Sequence, residues 1–120
     1  MLVSAFVILG IAVLIGCLLA ILRTNEAAMP PWWLAALHGL LAIFGSCCLA
    51  LALRGPTRGL DQGTASFGML ATALIVLAAL AGVGLLVARA FEKPITGVMI
   101  GIHATLAVSG FVILLAYIFA

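Results

Sequence analysis

Along the chain, long apolar runs alternate with three short polar clusters, and every Asp, Glu, Lys and Arg falls in a cluster: Arg23 to Glu26, Arg54 to Asp61 and Arg89 to Lys93. The runs are continuously apolar and lack the alternation that a strand between lipid and a wet lumen needs. Each is about twenty residues or more, enough to cross the roughly 30 Å hydrocarbon layer as a helix rising about 1.5 Å per residue. The pattern predicts spans near residues 1–22, 32–53, 64–90 and 95–119. Pro30 and Pro31, then Gly55 and Pro56, then Pro94 stand where these helices start or stop. Connections this short make neighbouring spans antiparallel. The expected fold class is all-α: an integral membrane four-helix bundle, up-down-up-down, forming a single transmembrane domain over residues 1–120.

Composition agrees, with 68% hydrophobic and 7% charged residues and a mean hydropathy of +1.49. The expected surroundings are a lipid bilayer, read as the bacterial inner membrane, and nucleic acid is not an expected partner. Orientation rests on a small difference: loops one and three carry Arg23, Arg89 and Lys93, against Arg54, Arg58 and the terminal amine on the other side. Loops one and three are therefore assigned to the cytoplasm. Leu14-Ile15-Gly16-Cys17 loosely resembles a lipoprotein cleavage site, but no basic residue precedes the first span, so a retained helix is expected. Cys17, Cys47 and Cys48 all lie inside spans without a Cys-x-x-Cys, which predicts packing rather than metal binding.

Within this apolar background the chain repeats itself. Gly16, Leu19, Arg23 and Glu26 recur at constant offset as Gly82, Leu85, Arg89 and Glu92. One residue out of step, His38, Leu41, Ala42 and Gly45 recur as His103, Leu106, Ala107 and Gly110. Two copies of a helical hairpin, about 1–54 and 63–120, account for this, related by a pseudo-twofold axis along the membrane normal. Spans two and four then run parallel, with His38 and His103 about 10 and 13 Å into their helices.

One histidine in a span is as readily a structural interhelical bond as a functional group. Two in register point to a shared ligand. At plus four and plus seven, Ala42 and Gly45 share a face with His38, and Ala107 and Gly110 with His103, so small residues are expected to line a slot beside each imidazole. A flat macrocycle between two helices needs such a slot. With no acidic residue or further His in any span, zinc is poorly served. Bis-histidine haem b, one per chain with His38 and His103 as iron ligands, fits two neutral imidazoles best, and a chlorophyll-type pigment is the other candidate. Arg23 and Arg89, with Asn25, Lys93, Trp32 and Trp33 nearby, are expected to meet the haem propionates, although interfacial anchoring explains them equally.

In layout, four spans with His38 in the second and His103 in the fourth, the chain resembles small four-helix membrane cytochromes b: the b561 type and the haem-binding anchors of succinate dehydrogenase. The b561 type commonly carries more histidines and two haems, whereas this chain supplies one bis-histidine site, so the quinone and ascorbate sites of those families are not carried over. A haem so bound implies one-electron transfer, with a quinone or a redox protein as the expected partner, in a homo-oligomer or as a subunit of a larger membrane complex. An enzyme in its own right is not expected, because the spans hold no carboxylate and no Ser-His-Asp set. The same absence argues against a small multidrug exporter, which needs a membrane-embedded acid. The competing expectation is a non-redox accessory or assembly subunit with structural histidines, packing through faces such as Gly97 with Gly101, or Ala78, Gly82 and Gly84.

Overall fold

A computed structural model shows the chain as all-helical. It describes residues 1–25, 29–56 and 58–120, with the side chains of α1 described as far as Arg23. Helix α1 covers Leu2–Asn25, α2 Trp32–Ala52, α3 Phe67–Ala90 and α4 Gly97–Phe119. Glu26 and the side chain of Asn25, both invoked above, lie outside the described residues. All four helices are long and apolar enough to cross a membrane, and the chain is a membrane protein whose outer faces meet lipid.

Many large residues point outward, and small ones are frequent among the buried set. On α1, Val3, Val7, Ile11, Leu14, Leu18 and Ile21 are exposed, while Ala5, Leu9 and Ala12 are buried. On α3 the buried set is Gly68, Ala71, Ile75, Ala78 and Ala88. Lipid tails solvate a leucine as well as a protein interior does, so close backbone approach, rather than burial of bulk, holds such helices together. Gly45 illustrates it: a Cβ there would stand 2.8 Å from Leu9 Cγ and 3.2 Å from Ile8 Cγ2. Gly110 on α4 is packed in the same manner, 2.9 Å from Ile75 Cγ1 and 3.1 Å from Leu74 Cβ.

Helices α1 and α2 pack extensively, as do α3 and α4; the two pairs meet along narrower seams, α1 with α4 and α2 with α3. Helices α2 and α4 thus stand at opposite corners. One end of the bundle is well filled, by Ala5, Leu9, Leu49, Ala71, Ile75, Leu114 and Tyr117. There Phe6 and Phe111 stack across the α1–α4 seam with ring centroids 4.9 Å apart. Towards loops one and three, the buried apolar side chains among the described residues thin to Ala12, Leu34, Ala78 and Ala88.

The polar connections fix the ends. Thr96 caps α4, its hydroxyl accepting from the Met99 N–H at 3.3 Å. Helix α3 closes in a Schellman turn, with Lys93 N donating to Ala88 O at 2.8 Å and Glu92 N to Arg89 O at 3.2 Å. Glu92 sits at the left-handed position with φ 52°, where glycine is usual. From that turn Arg89 reaches loop one, its Nη2 donating to Pro30 O at 2.8 Å.

Candidate functional site

The histidines sit about a third of the way along α2 and α4, each the seventh residue of its helix, and both are half-buried. Each is held from the helix next to it in sequence. His38 Nδ1 lies 2.8 Å from Ala12 O of α1, and His103 Nδ1 lies 2.8 Å from Ala78 O of α3. A carbonyl oxygen only accepts, so each Nδ1 carries the proton and, in a neutral ring, the lone pair is on Nε2. Among the described residues no hydrogen bond engages either Nε2.

Glycine allows this close approach. A Cβ on Gly16 would fall 2.9 Å from His38 Cε1 and 3.4 Å from its Nδ1. A Cβ on Gly82 would fall 3.0 Å from His103 Cε1 and 3.3 Å from its Nδ1. In an α-helix the carbonyl of residue i lies beneath residue i+4, so Ala12 with Gly16, and Ala78 with Gly82, each form one unit: an acceptor and a gap above it. The imidazole fills the gap and donates to the acceptor.

So oriented, the rings meet across the bundle from opposite corners, with centroids 5.9 Å apart and planes at 79°. Among the described residues no three His, Cys, Asp or Glu side chains converge, and all three cysteines are free. A metal placed between the histidines would take two nitrogens from the protein and bring its remaining ligands with it.

Neither a protein-family model, nor a curated protein, nor a solved structure matches this chain.

Of the other expected site residues, Gly45 and Gly110 are buried against Leu9 and Ile75 respectively, at the packed seams within each helix pair. Ala42 and Ala107 are half-buried, and the Ala42 carbonyl accepts from Ser46 Oγ at 2.7 Å. Arg89 is engaged with Pro30, whereas the Nε of Arg23 is buried without a partner among the described residues. Trp32 and Trp33 are exposed, at 67% and 66%, as interfacial anchors are. A shallow groove lined by Val98, Gly101, Ile102, Thr105 and Leu106 runs along the outer side of α4 and includes neither histidine. The residues nearest the imidazoles, Ala12, Gly16, Ala78 and Gly82, come from the partner helices. Their signal in the sequence is Ala-x-x-x-Gly, its glycine twenty-two residues before His38 and, again, twenty-one residues before His103.

Proposed function

We propose that the chain is a membrane cytochrome of b type, binding one haem between His38 and His103 for one-electron transfer. The observation that carries this is the pair of imidazoles, 5.9 Å apart between centres, each with Nδ1 fixed by a backbone carbonyl and Nε2 left to bind. Two ring nitrogens each about 2 Å from one metal, with roughly 1 Å more to each ring centre, would put the centres about 6 Å apart. A proton donated from Nδ1 to a carbonyl is also the usual second-shell arrangement of a ligating histidine, since it fixes the tautomer and the ring. The need for further, non-protein ligands favours a macrocycle over a bare ion. The looser packing between the helix pairs, on the side of the histidines away from the filled core, suits a flat group.

In this proposal His38 and His103 would hold the haem iron, Ala12 and Ala78 would orient them, and Gly16 and Gly82 would keep their seats open. Ala42, Gly45, Ala107 and Gly110 let each histidine helix lie close to its neighbour. A haem so held supplies reversible one-electron chemistry with no open position for oxygen. The proposal includes an up-down-up-down path and two duplicated hairpins; equal seats at Ala12–Gly16–His38 and Ala78–Gly82–His103 support the duplication. It also places the chain in a bacterial inner membrane, exchanging electrons with a quinone or a protein partner.

A second reading is a non-redox accessory subunit in which the histidines are interhelical ties. The carbonyl bonds at both Nδ1 atoms favour it. An idle Nε2 lone pair on each ring, inside an apolar span, weighs against it. Visible spectra of the detergent-purified protein, oxidised and dithionite-reduced, with a pyridine haemochrome assay, separate the two. The cytochrome reading expects about one haem per chain, with a sharp α band on reduction, lost in His38→Ala and in His103→Ala but kept in Cys47→Ala. A protein that stays colourless after expression with added haem, or that keeps its spectrum in either His variant, would sink it.

A further inference from the structure

Arg23 and Arg89 hold the same place in the two hairpins, each seven residues beyond the glycine that seats a histidine (23 − 16 and 89 − 82). Seven residues is two helical turns, about 10 Å along the axis, so each arginine returns to the glycine's face of its helix. Their surroundings differ. Arg89 donates through Nη2 to the carbonyl of Pro30 at 2.8 Å, and Pro30 is itself buried; this bond ties α3 to loop one. The Nε of Arg23 is buried and meets no acceptor among the described residues.

A guanidinium does not lose its charge in a protein, so a buried N–H of this kind needs an oxygen acceptor, preferably an anionic one. The described part of the chain does not supply it. Asp61 lies in loop two, at the other end of the bundle, and Glu92 is exposed at the end of α3. A porphyrin carries carboxylates on one edge, and that edge favours the polar end of an apolar bundle. The end bearing Arg23 lies beyond the histidine seats, away from the filled core.

Resting on the haem proposal above, we infer that Arg23 receives a carboxylate of the bound porphyrin while Arg89 acts as a latch on loop one. The site is then chemically unequal on its two sides, and one orientation of the ligand is preferred. The expected meeting of each arginine with one propionate is thereby narrowed to Arg23 alone.

The test titrates the haem-free full chain in detergent with haemin and with its dimethyl ester, following the Soret band. Converting carboxylates to esters removes the charge that Arg23 would meet and leaves the iron ligation unchanged. Relative to wild type, Arg23→Gln is expected to lower the diacid-to-ester affinity ratio about tenfold or more, the size of a lost charge-assisted hydrogen bond, with ester affinity unchanged. Unchanged ester binding also shows that the variant is folded. Arg89→Gln is expected to keep the ratio and to lower the melting temperature of the haem-free protein. An unchanged ratio in Arg23→Gln, or a ratio lost in Arg89→Gln instead, overturns the inference. If Arg23 pairs with a lipid phosphate, Arg23→Gln will leave the ratio alone but abolish stabilisation by added phosphatidylglycerol, which overturns it too. Failure of folded wild-type protein to bind either porphyrin would mark the haem proposal itself as wrong, and this inference with it.

Discussion

The imidazole of His38 is positioned by an absence, the missing Cβ of Gly16, as much as by the carbonyl of Ala12. Gly16→Ala would bring a methyl carbon to 2.9 Å from His38 Cε1, and Gly82→Ala one to 3.0 Å from His103 Cε1. The ring must move, and with it the Nδ1 bond. Each variant is expected to weaken haem binding about tenfold and to shift the reduced spectrum, at an overpacking cost of about 1–3 kcal/mol. Gly84→Ala is the control, because nothing lies within 4 Å of a Cβ there. It should bind haem normally and gain about 0.5 kcal/mol from the better helix former. Equal behaviour of Gly82→Ala and Gly84→Ala in the same titration would contradict the seating role. The sequence made the histidine pair and its register legible, but not these seats. Periodicity along one helix tells which of its residues share a face, as Ala42 and Gly45 do with His38. It does not tell which residues of a neighbouring helix come opposite.

Helix limits were legible where the apolar run and the helix end together, as at Ala52 of α2 and Phe119 of α4. They diverge where a charged residue continues the backbone, since α1 runs on past Arg23 to Asn25; a long basic side chain can reach away from the apolar layer while its backbone remains helical. At the other limit of loop two, Thr64 to Ser66 form turns and α3 begins at Phe67. The end of α3 offers the sharpest local prediction. Glu92 occupies a left-handed position, φ 52°, in a Schellman turn whose hydrogen bonds do not use its side chain. Glu92→Gly should stabilise the protein by about 1 kcal/mol, seen as a higher melting temperature in detergent, because glycine adopts that conformation without a Cβ clash. A lower melting temperature would mean that the carboxylate makes a compensating contact.

The bundle is filled unevenly along its length. Its core joins all four helices near Ala5, Leu49, Ala71 and Leu114, whereas beyond the histidines the described buried apolar side chains are few. Composition could not reveal this, since the apolar residues are as dense at one end of each span as at the other; the difference lies in how the helices meet. Amide exchange of the haem-free protein should therefore be slower at Ala5 to Leu9 than at Gly16 to Arg23, and added haem should slow the second segment selectively. Uniform protection along α1 would contradict it. Each histidine is also seated wholly within its own helix pair, His38 on Ala12 and Gly16, His103 on Ala78 and Gly82. Neither helix pair holds both histidines, and neither needs the other to aim the one it has. On the proposed reading, a lone hairpin that pairs with its own copy would already own a complete site, and joining two such hairpins would add only the freedom for the halves to become different.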